Sequence, residues 1–265
     1  MQLEDKAILS TWLTYLNSLK SGSSAEPMLA NDSKALIAIT GIREHLYNSV
    51  FINTPNSDEA LTQELLCLQQ EVNLPLAVWI STLTQSPTIE AYLKQKLTSP
   101  GAFLGMLLEV DKAKTTPCPN EITIVQITTE GQAEEYATLF CEVFNFPSIY
   151  ERTISWVIQQ IKDQERFGYS FFAQVNGQIA GVSTLMIDKN FQQFKTGGLY
   201  NACVLPKFRK YGVGTAMACH RVNVARELGL DCLSILLMSD AMARGYCERL
   251  GFNAYSTMTP FYIAS

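Results

Sequence analysis

The stretch from Val204 through Pro206, Lys207, Arg209, Lys210, Gly212 and Gly214 to Ala216 constrains this chain more than any other. An apolar, β-like run over Gly198–Leu205 is stopped by Pro206, which removes a backbone donor. Three basic residues follow, Lys207, Arg209 and Lys210. Gly212 and Gly214 then let the backbone turn tightly and approach a ligand with no Cβ in the way. A helical pattern begins at once, over about Thr215 to Leu228, with Met217, Val224 and Leu228 on one face and Gly229 as its stop. The first N–H groups of such a helix are unpaired and its dipole is positive at that end. Set among basic side chains and two glycines, they make an anion cradle suited to a pyrophosphate. The plain alternative is a tight turn with solvated basic residues. A G-x-G pair alone arises by chance at roughly one position in 200; the arginine, the proline and the helix start together favour the cradle.

Two other phosphate loops fail. The Walker pattern G-x-x-x-x-G-K-[ST] is absent. Gly212, Gly214 and Ala218 fit a loose dinucleotide fingerprint, but the charged and aromatic residues 207–211 separate the strand from the first glycine, a poor first turn for that fold.

The surrounding pattern mixes strands and helices. Ile122–Ile127 reads as a strand, Gln132–Phe144 and Tyr150–Asp163 as helices. Phe171–Val175 and Gln178–Ile187 form a hairpin about Asn176-Gly177, two residues tolerant of positive φ. The nearly all-apolar Leu233–Met238 suits a central strand. A helix over Ala241–Leu250 ends at Gly251; Ser239 and Asp240 read as its N-caps ahead of a general-base role at the strand ends, where Asn201 also lies. Ala254–Ile263 reads as a plain edge strand. Upstream, Pro117 and Pro119 mark a linker near Thr115–Asn120. The first segment opens with a helix carrying Ile8, Trp12, Tyr15 and Leu19 on one face. Strands follow at Tyr47–Ile52, Leu76–Ser81 and Phe103–Val110, with helices over Glu59–Val72 and Thr88–Leu97. The expected organisation is an N-terminal mixed α/β unit over residues 1–116 and a second unit over 121–265.

From residue 121 onward the sequence resembles the GNAT acetyltransferase superfamily. The match is to its R-x-x-G-x-G/A loop, here Arg209, Gly212 and Gly214, preceded by Val204-Leu-Pro206 and followed by the Arg249-Leu-Gly251-Phe252 helix ending. The first segment, through Leu74–Trp79 and Phe103–Val110, looks like the degenerate N-terminal unit of two-unit members. The resemblance implies an α/β (α+β) fold with a mixed, mostly antiparallel sheet flanked by helices. It implies acetyl-CoA as acyl donor, an amine acceptor, and cofactor-binding positions at Cys203, Val204, Arg209, Lys210, Tyr211, Gly212, Val213, Gly214 and Thr215. Asn201–Val204 would splay from Leu233–Met238 and pair with the pantetheine arm, and a backbone N–H, that of Val204, would meet the oxyanion. The family places a tyrosine four residues before the Gly-Phe ending to protonate the departing thiolate. Here that position is Cys247, and Tyr246 sits one residue earlier, about 100° away on a helix. Tyr246, Cys247 and water all stand as readings for the acid, beside packing roles for both side chains. The alternative to an N-acetyltransferase is an inactive CoA-binding or interaction module. The N-terminal unit reads as a lid, a support or a homodimer surface.

Composition narrows the rest. With 47% apolar and 17% charged residues, a sizeable core is expected and disorder is not. A net charge of −5 argues against general nucleic-acid affinity. No apolar run reaches membrane-span length, and the N-terminus lacks a signal pattern, so no membrane partner is expected. Seven cysteines with no C-x-x-C pair read as reduced thiols in a cytoplasmic protein. His45 and His220 are isolated, so no metal site is expected.

Overall fold

Most of the periodic runs become the elements they predict. A computed structural model describes residues 3–19, 35–52, 73–82, 87–241 and 243–263, with four further positions between 64 and 71. The strands are β1 (Ala35–Ile39), β2 (Asn48–Ile52), β3 (Leu76–Ser81), β4 (Phe103–Glu109), β5 (Ile122–Gln126), β6 (Tyr169–Val175), β7 (Gln178–Asp188), β8 (Thr196–Val204), β9 (Cys232–Met238) and β10 (Asn253–Ile263). The helices are α1 (Leu3–Ser18), α2 (Pro87–Lys96), α3 (Glu130–Phe144), α4 (Tyr150–Lys162), the short α5 (Gln164–Phe167), α6 (Val213–Glu227) and α7 (Ala243–Leu250). The helix expected over Glu59–Val72 falls mostly outside the described residues. Strand β1 escaped the sequence reading, since a five-residue apolar run carries no decisive periodicity. Helix α3 starts two residues earlier than its apolar pattern, because Thr129 and Gln132 form a reciprocal capping box.

The strands form one sheet in the order β1-β2-β3-β10-β4-β9-β8-β7-β6-β5. All neighbours are antiparallel except β2 with β3 and β8 with β9. The irregular stretch around Thr115–Asn120 separates the halves in sequence, yet the sheet runs across them. Strand β10 lies between β3 and β4, and β4 lies between β10 and β9. The expectation that the C-terminal strand is an edge is therefore corrected: β10 is interior, because the N-terminal segment supplies a partner on each side. Pro260 is tolerated there for a local reason. Tyr262 N–H donates towards Thr98, so the nitrogen two residues back faces the same side, beyond the end of the β4 ladder at Met258 and Phe103.

Side-chain alternation along the strands builds a core on each face. Val182, Met186, Tyr200 and Cys203 pack beneath α1, α3 and α4, with Trp156, Tyr136 and Phe140. Phe171, Leu185, Leu199, Leu233, Ile235 and Leu237 pack beneath α6 and α7. Helix α1 joins the halves: Ala7, Ile8 and Leu9 pack with Phe51, Trp79 and Met258, while Tyr15 and Leu16 join the α3–α4 core. All seven cysteines are free thiols, five of them buried. Among the described residues no helix is long and apolar enough to cross a membrane, and none of them form a metal-binding group of His, Cys, Asp or Glu.

Candidate functional site

The parallel ladder between β8 and β9 is short. It pairs Thr196, Gly197 and Gly198 with Cys232, Leu233 and Ser234, and then stops. Beyond it, residues 199–204 and 235–238 face each other with no ladder between them, while the outer edges of both strands stay paired with β7 and β4. The sequence expectation of a splay at Asn201–Val204 is met by this opening.

A β-bulge lies beside the opening. The β7–β8 register shifts between Val182 and Thr184, and Asn201 takes a left-handed φ of 53°, which asparagine tolerates better than most residues. A bulge puts two successive side chains on one side of a strand. Here Tyr200 and Asn201 both reach α1: the Tyr200 hydroxyl hydrogen-bonds Thr11 at 2.9 Å, and the Tyr15 hydroxyl donates to Asn201 Oδ1 at 2.9 Å. Thr11 also contacts the Ser234 hydroxyl of β9, so α1 rests on both strands at the root of the opening. Gly198 is needed because a Cβ there would come within 2.3 Å of the Tyr200 ring. After the bulge, Leu205 N–H donates to Ala180 O at 2.8 Å. Alternation therefore turns the backbone groups of Val204 away from β7, to the open edge. Arg209 Nε, which donates to Val204 O at 3.3 Å, lies on that side.

The loop continues from this edge. Pro206–Phe208 form one 3-10 turn, where the sequence suggested plain loop. Lys210 and Gly212 have φ of 71° and 81°; left-handed residues in a tight turn bring successive N–H groups into a concavity. Gly212 is the N-cap of α6, with no side chain bonded to the helix end, and Ala216 is the first residue to bond back, to Gly212 O at 2.9 Å. The N–H groups of Val213, Gly214 and Thr215 precede that bond. The Arg209, Lys210, Tyr211 and Gly212 positions are exposed, Val213 is buried, and Gly214 and Thr215 are half-buried. Cys203 is 6% exposed and its side chain belongs to the core beneath α3 and α4, so only its backbone borders the opening.

The structure separates the two acid candidates. Tyr246 is half-buried, and a Cβ built on Gly214 would lie 3.6 Å from its Cε1. The phenol thus stands against the first turn of α6, beside the left-handed loop. Cys247 is 1% exposed and packed among Leu199, Leu233 and Ile235. Burial pushes the Tyr246 phenol up to about 12; Cys247 adds to the rise and Arg221 opposes it. Burial pushes the Cys247 thiol up to about 12 as well. The observed α7 begins at Ala243, two residues later than the sequence pattern, so Ser239 and Asp240 lie in the turn before it.

The sequence reading missed Arg221 and Tyr15. Arg221 is 1% exposed; the available signal was a charged residue four positions after Met217, inside the apolar stripe of the helix. Tyr15 read only as a core residue of α1. His45 stacks on Tyr262 with ring centroids 4.4 Å apart, and His220 packs edge-on against Phe171; burial lowers both imidazoles from their ordinary value.

Residues 133–252 match the family model described as the acetyltransferase (GNAT) family. No curated protein sequence matches the chain. Among solved structures, the chain is similar to a GCN5-related N-acetyltransferase from Kribbella flavida (TM-score 0.66, 12% identity, covering 98% of this chain and 96% of that one). It is similar to a GCN5-related N-acetyltransferase from Sphaerobacter thermophilus (TM-score 0.67, 15% identity, 87% and 76% covered). A tandem GNAT protein from the clavulanic acid biosynthesis pathway also aligns over both halves (TM-score 0.57, 14% identity, 98% and 95% covered). At such identities the likeness is one of fold.

Proposed function

Because residues 133–252 form a domain of the GNAT acetyltransferase superfamily, we propose that this protein is an N-acetyltransferase that moves an acetyl group from acetyl-CoA to an amine by direct attack. The observation that carries the reading is the opening between β8 and β9, which leads straight into the left-handed loop at Lys210 and Gly212.

Each part of the site then has a task. The N–H groups of the loop and of Val213–Thr215 hold the pyrophosphate, aided by the helix dipole and by the exposed charges of Arg209 and Lys210. The unpaired edge of β8 binds the pantetheine amides as an added strand would. The Val204 N–H, on that edge, polarises the thioester carbonyl and stabilises the oxyanion. The amine nitrogen bonds to the carbonyl carbon and gives up one proton to solvent, the C–S bond breaks, and the sulfur leaves as a thiolate. Tyr246 gives its hydroxyl proton to that sulfur. A phenol is protonated at neutral pH, as a donor must be, and burial only strengthens that. We assign Cys247 to packing.

The competing reading, a CoA-binding module without turnover, draws on the cysteine standing where the family has its tyrosine. The placement of Tyr246 against Gly214 favours turnover instead. We further read residues 1–116 as a degenerate copy of the same unit, acting as a support: α1 braces the bulge through Tyr15 and Asn201. The test is thiol release from acetyl-CoA in the presence of a panel of amines, under single-turnover conditions. Amine-dependent release is expected; tight acetyl-CoA binding with no acetyl transfer to any amine would leave the inactive module as the better reading.

A further inference from the structure

Arg221 is buried on α6 and carries none of the tasks above. It sits on α6 with its guanidinium held by three carbonyls: Nε donates to Met217 O at 3.1 Å, and Nη1 to Thr184 O at 2.9 Å and Tyr200 O at 3.5 Å. Thr184 and Tyr200 face each other next to the register shift of the β7–β8 ladder, so the guanidinium fills the gap left by the bulge. Among the described residues it has no carboxylate partner: the three ion pairs are at the surface and involve Lys94, Lys112 and Arg244. Burying a guanidinium without a counter-charge is far costlier than burying a neutral side chain of the same size. The carbonyls take three of its five N–H groups and leave its net charge in place.

Arg221 lies seven residues after Gly214, so both fall on the same face of α6, and a long helical side chain leans back towards the helix start. Gly214 is where the Tyr246 ring stands, 3.6 Å from a built Cβ. Resting on the acetyltransferase reading above, we infer that Arg221 is a positioning residue that acts through Tyr246, its unneutralised charge making the phenol readier to release its proton to the departing sulfur.

The titratable groups that feel Arg221 are Tyr246 and Cys247 on α7, Tyr136 on α3 and its own neighbour His220 on α6, none of them a carboxylate. Those that feel Tyr246 are Cys247 and Arg221, and the arginine lowers what burial has raised. The effect falls on proton transfer, so kcat carries it while acetyl-CoA binding, which uses the loop and the β8 edge, does not.

A double-mutant cycle tests this, using Arg221→Gln, Tyr246→Phe and the pair, with Arg221→Lys as the variant that keeps the charge. Arg221→Gln should lower kcat by about 10-fold or more while the KM for acetyl-CoA stays within about 3-fold. Arg221→Lys should recover most of the loss. In the Tyr246→Phe background the same glutamine change should cost less than about 3-fold, because the group it acts through is gone. A kcat for Arg221→Gln within 2-fold of the wild type, or an undiminished loss in the Tyr246→Phe background, overturns the role. If Arg221→Gln does not fold, Arg221→Lys with and without Tyr246→Phe decides: near-wild-type kcat in the single variant supports the role, and an equal large loss in both backgrounds overturns it. A wild-type protein that transfers no acetyl group sinks the acetyltransferase reading itself, and this role with it; an active wild type with an indifferent Arg221 sinks the role alone.

Discussion

The two halves of the sheet repeat one order of elements and differ where a ligand would sit. In each, an antiparallel pair (β1 with β2, β7 with β8) is followed by a strand parallel to its second member (β3, β9), then a helix (α2, α7), then a strand that crosses into the other half (β4, β10). In the N-terminal half the parallel ladder takes Ser49, Val50 and Phe51 of the five-residue β2, and every residue of β2 is buried. In the C-terminal half the ladder takes only the first three residues of the nine-residue β8. Residues 42–100 contain no glycine, whereas the stretch from β8 to α7 holds Gly197, Gly198, Gly212, Gly214, Gly229 and Gly245. The same topology closes into core where large side chains fill it, and opens into a site where glycines, a bulge and a basic loop keep the strands apart.

The largest expected effect probes the closed half. Trp79 is 1% exposed, stacks on Phe51 at 5.4 Å and donates its indole N–H to Ser49 Oγ at 2.9 Å. Trp79→Ala should cost about 3–5 kcal/mol in a denaturant titration. Because β4 and β10 are exchanged, the loss should appear as one shifted transition for the whole chain. Two resolved transitions, with the C-terminal half unmoved, would show that the exchanged strands do not couple the halves.

Next in size is the contrast inside α7. Tyr246→Phe should lower kcat by about 100-fold with the acetyl-CoA KM little changed. Cys247→Ala should do the reverse, costing about 1 kcal/mol of stability and leaving kcat within about 3-fold. Steady-state kinetics and thermal melts on the pair would exchange the assignments if the outcomes were swapped.

The smallest effect probes the seam. Tyr15→Phe removes one hydrogen bond to Asn201 and should cost about 1 kcal/mol. Burial raises the phenols of Tyr15, Tyr47, Tyr136 and Tyr200 well above the ordinary tyrosine value. In the unfolded chain they ionise near 10, so the unfolded state loses protons first. Their contribution to stability is therefore complete below about pH 10 and is lost as pH rises above it. Urea midpoints measured from pH 8 to 11 should fall only beyond that point, and fall less steeply in Tyr15→Phe.

What could be read from sequence was local. Pro206, Gly212 and Gly214 act through their own backbones, so the strand end, the tight turn and the helix start were visible residue by residue, as were the Asn176-Gly177 hairpin and the Gly229 helix stop. The exchange of β4 and β10 was not, since both runs are plain apolar strands and partner choice is a long-range property. Tyr246 and Cys247 differ by one residue on a helix, and only the packing of α7 against α6 and the sheet decides which side chain meets Gly214. Arg221 was hidden because an apolar stripe tolerates one exception without losing its period, and the carbonyls that hold it come from Thr184 and Tyr200, far away in sequence.

The most direct test of the central claim is the melting temperature with and without saturating acetyl-CoA, in the wild type and in Gly212→Glu. That substitution adds a carboxylate to the proposed anion cradle at a backbone φ of 81°, which side chains rarely adopt. At about 100 times its Kd, acetyl-CoA should stabilise the wild type by about 2.7 kcal/mol, raising its midpoint by several degrees, and should leave Gly212→Glu unmoved. No shift in the wild type at millimolar acetyl-CoA, or an equal shift in the variant, would contradict the assignment of this loop.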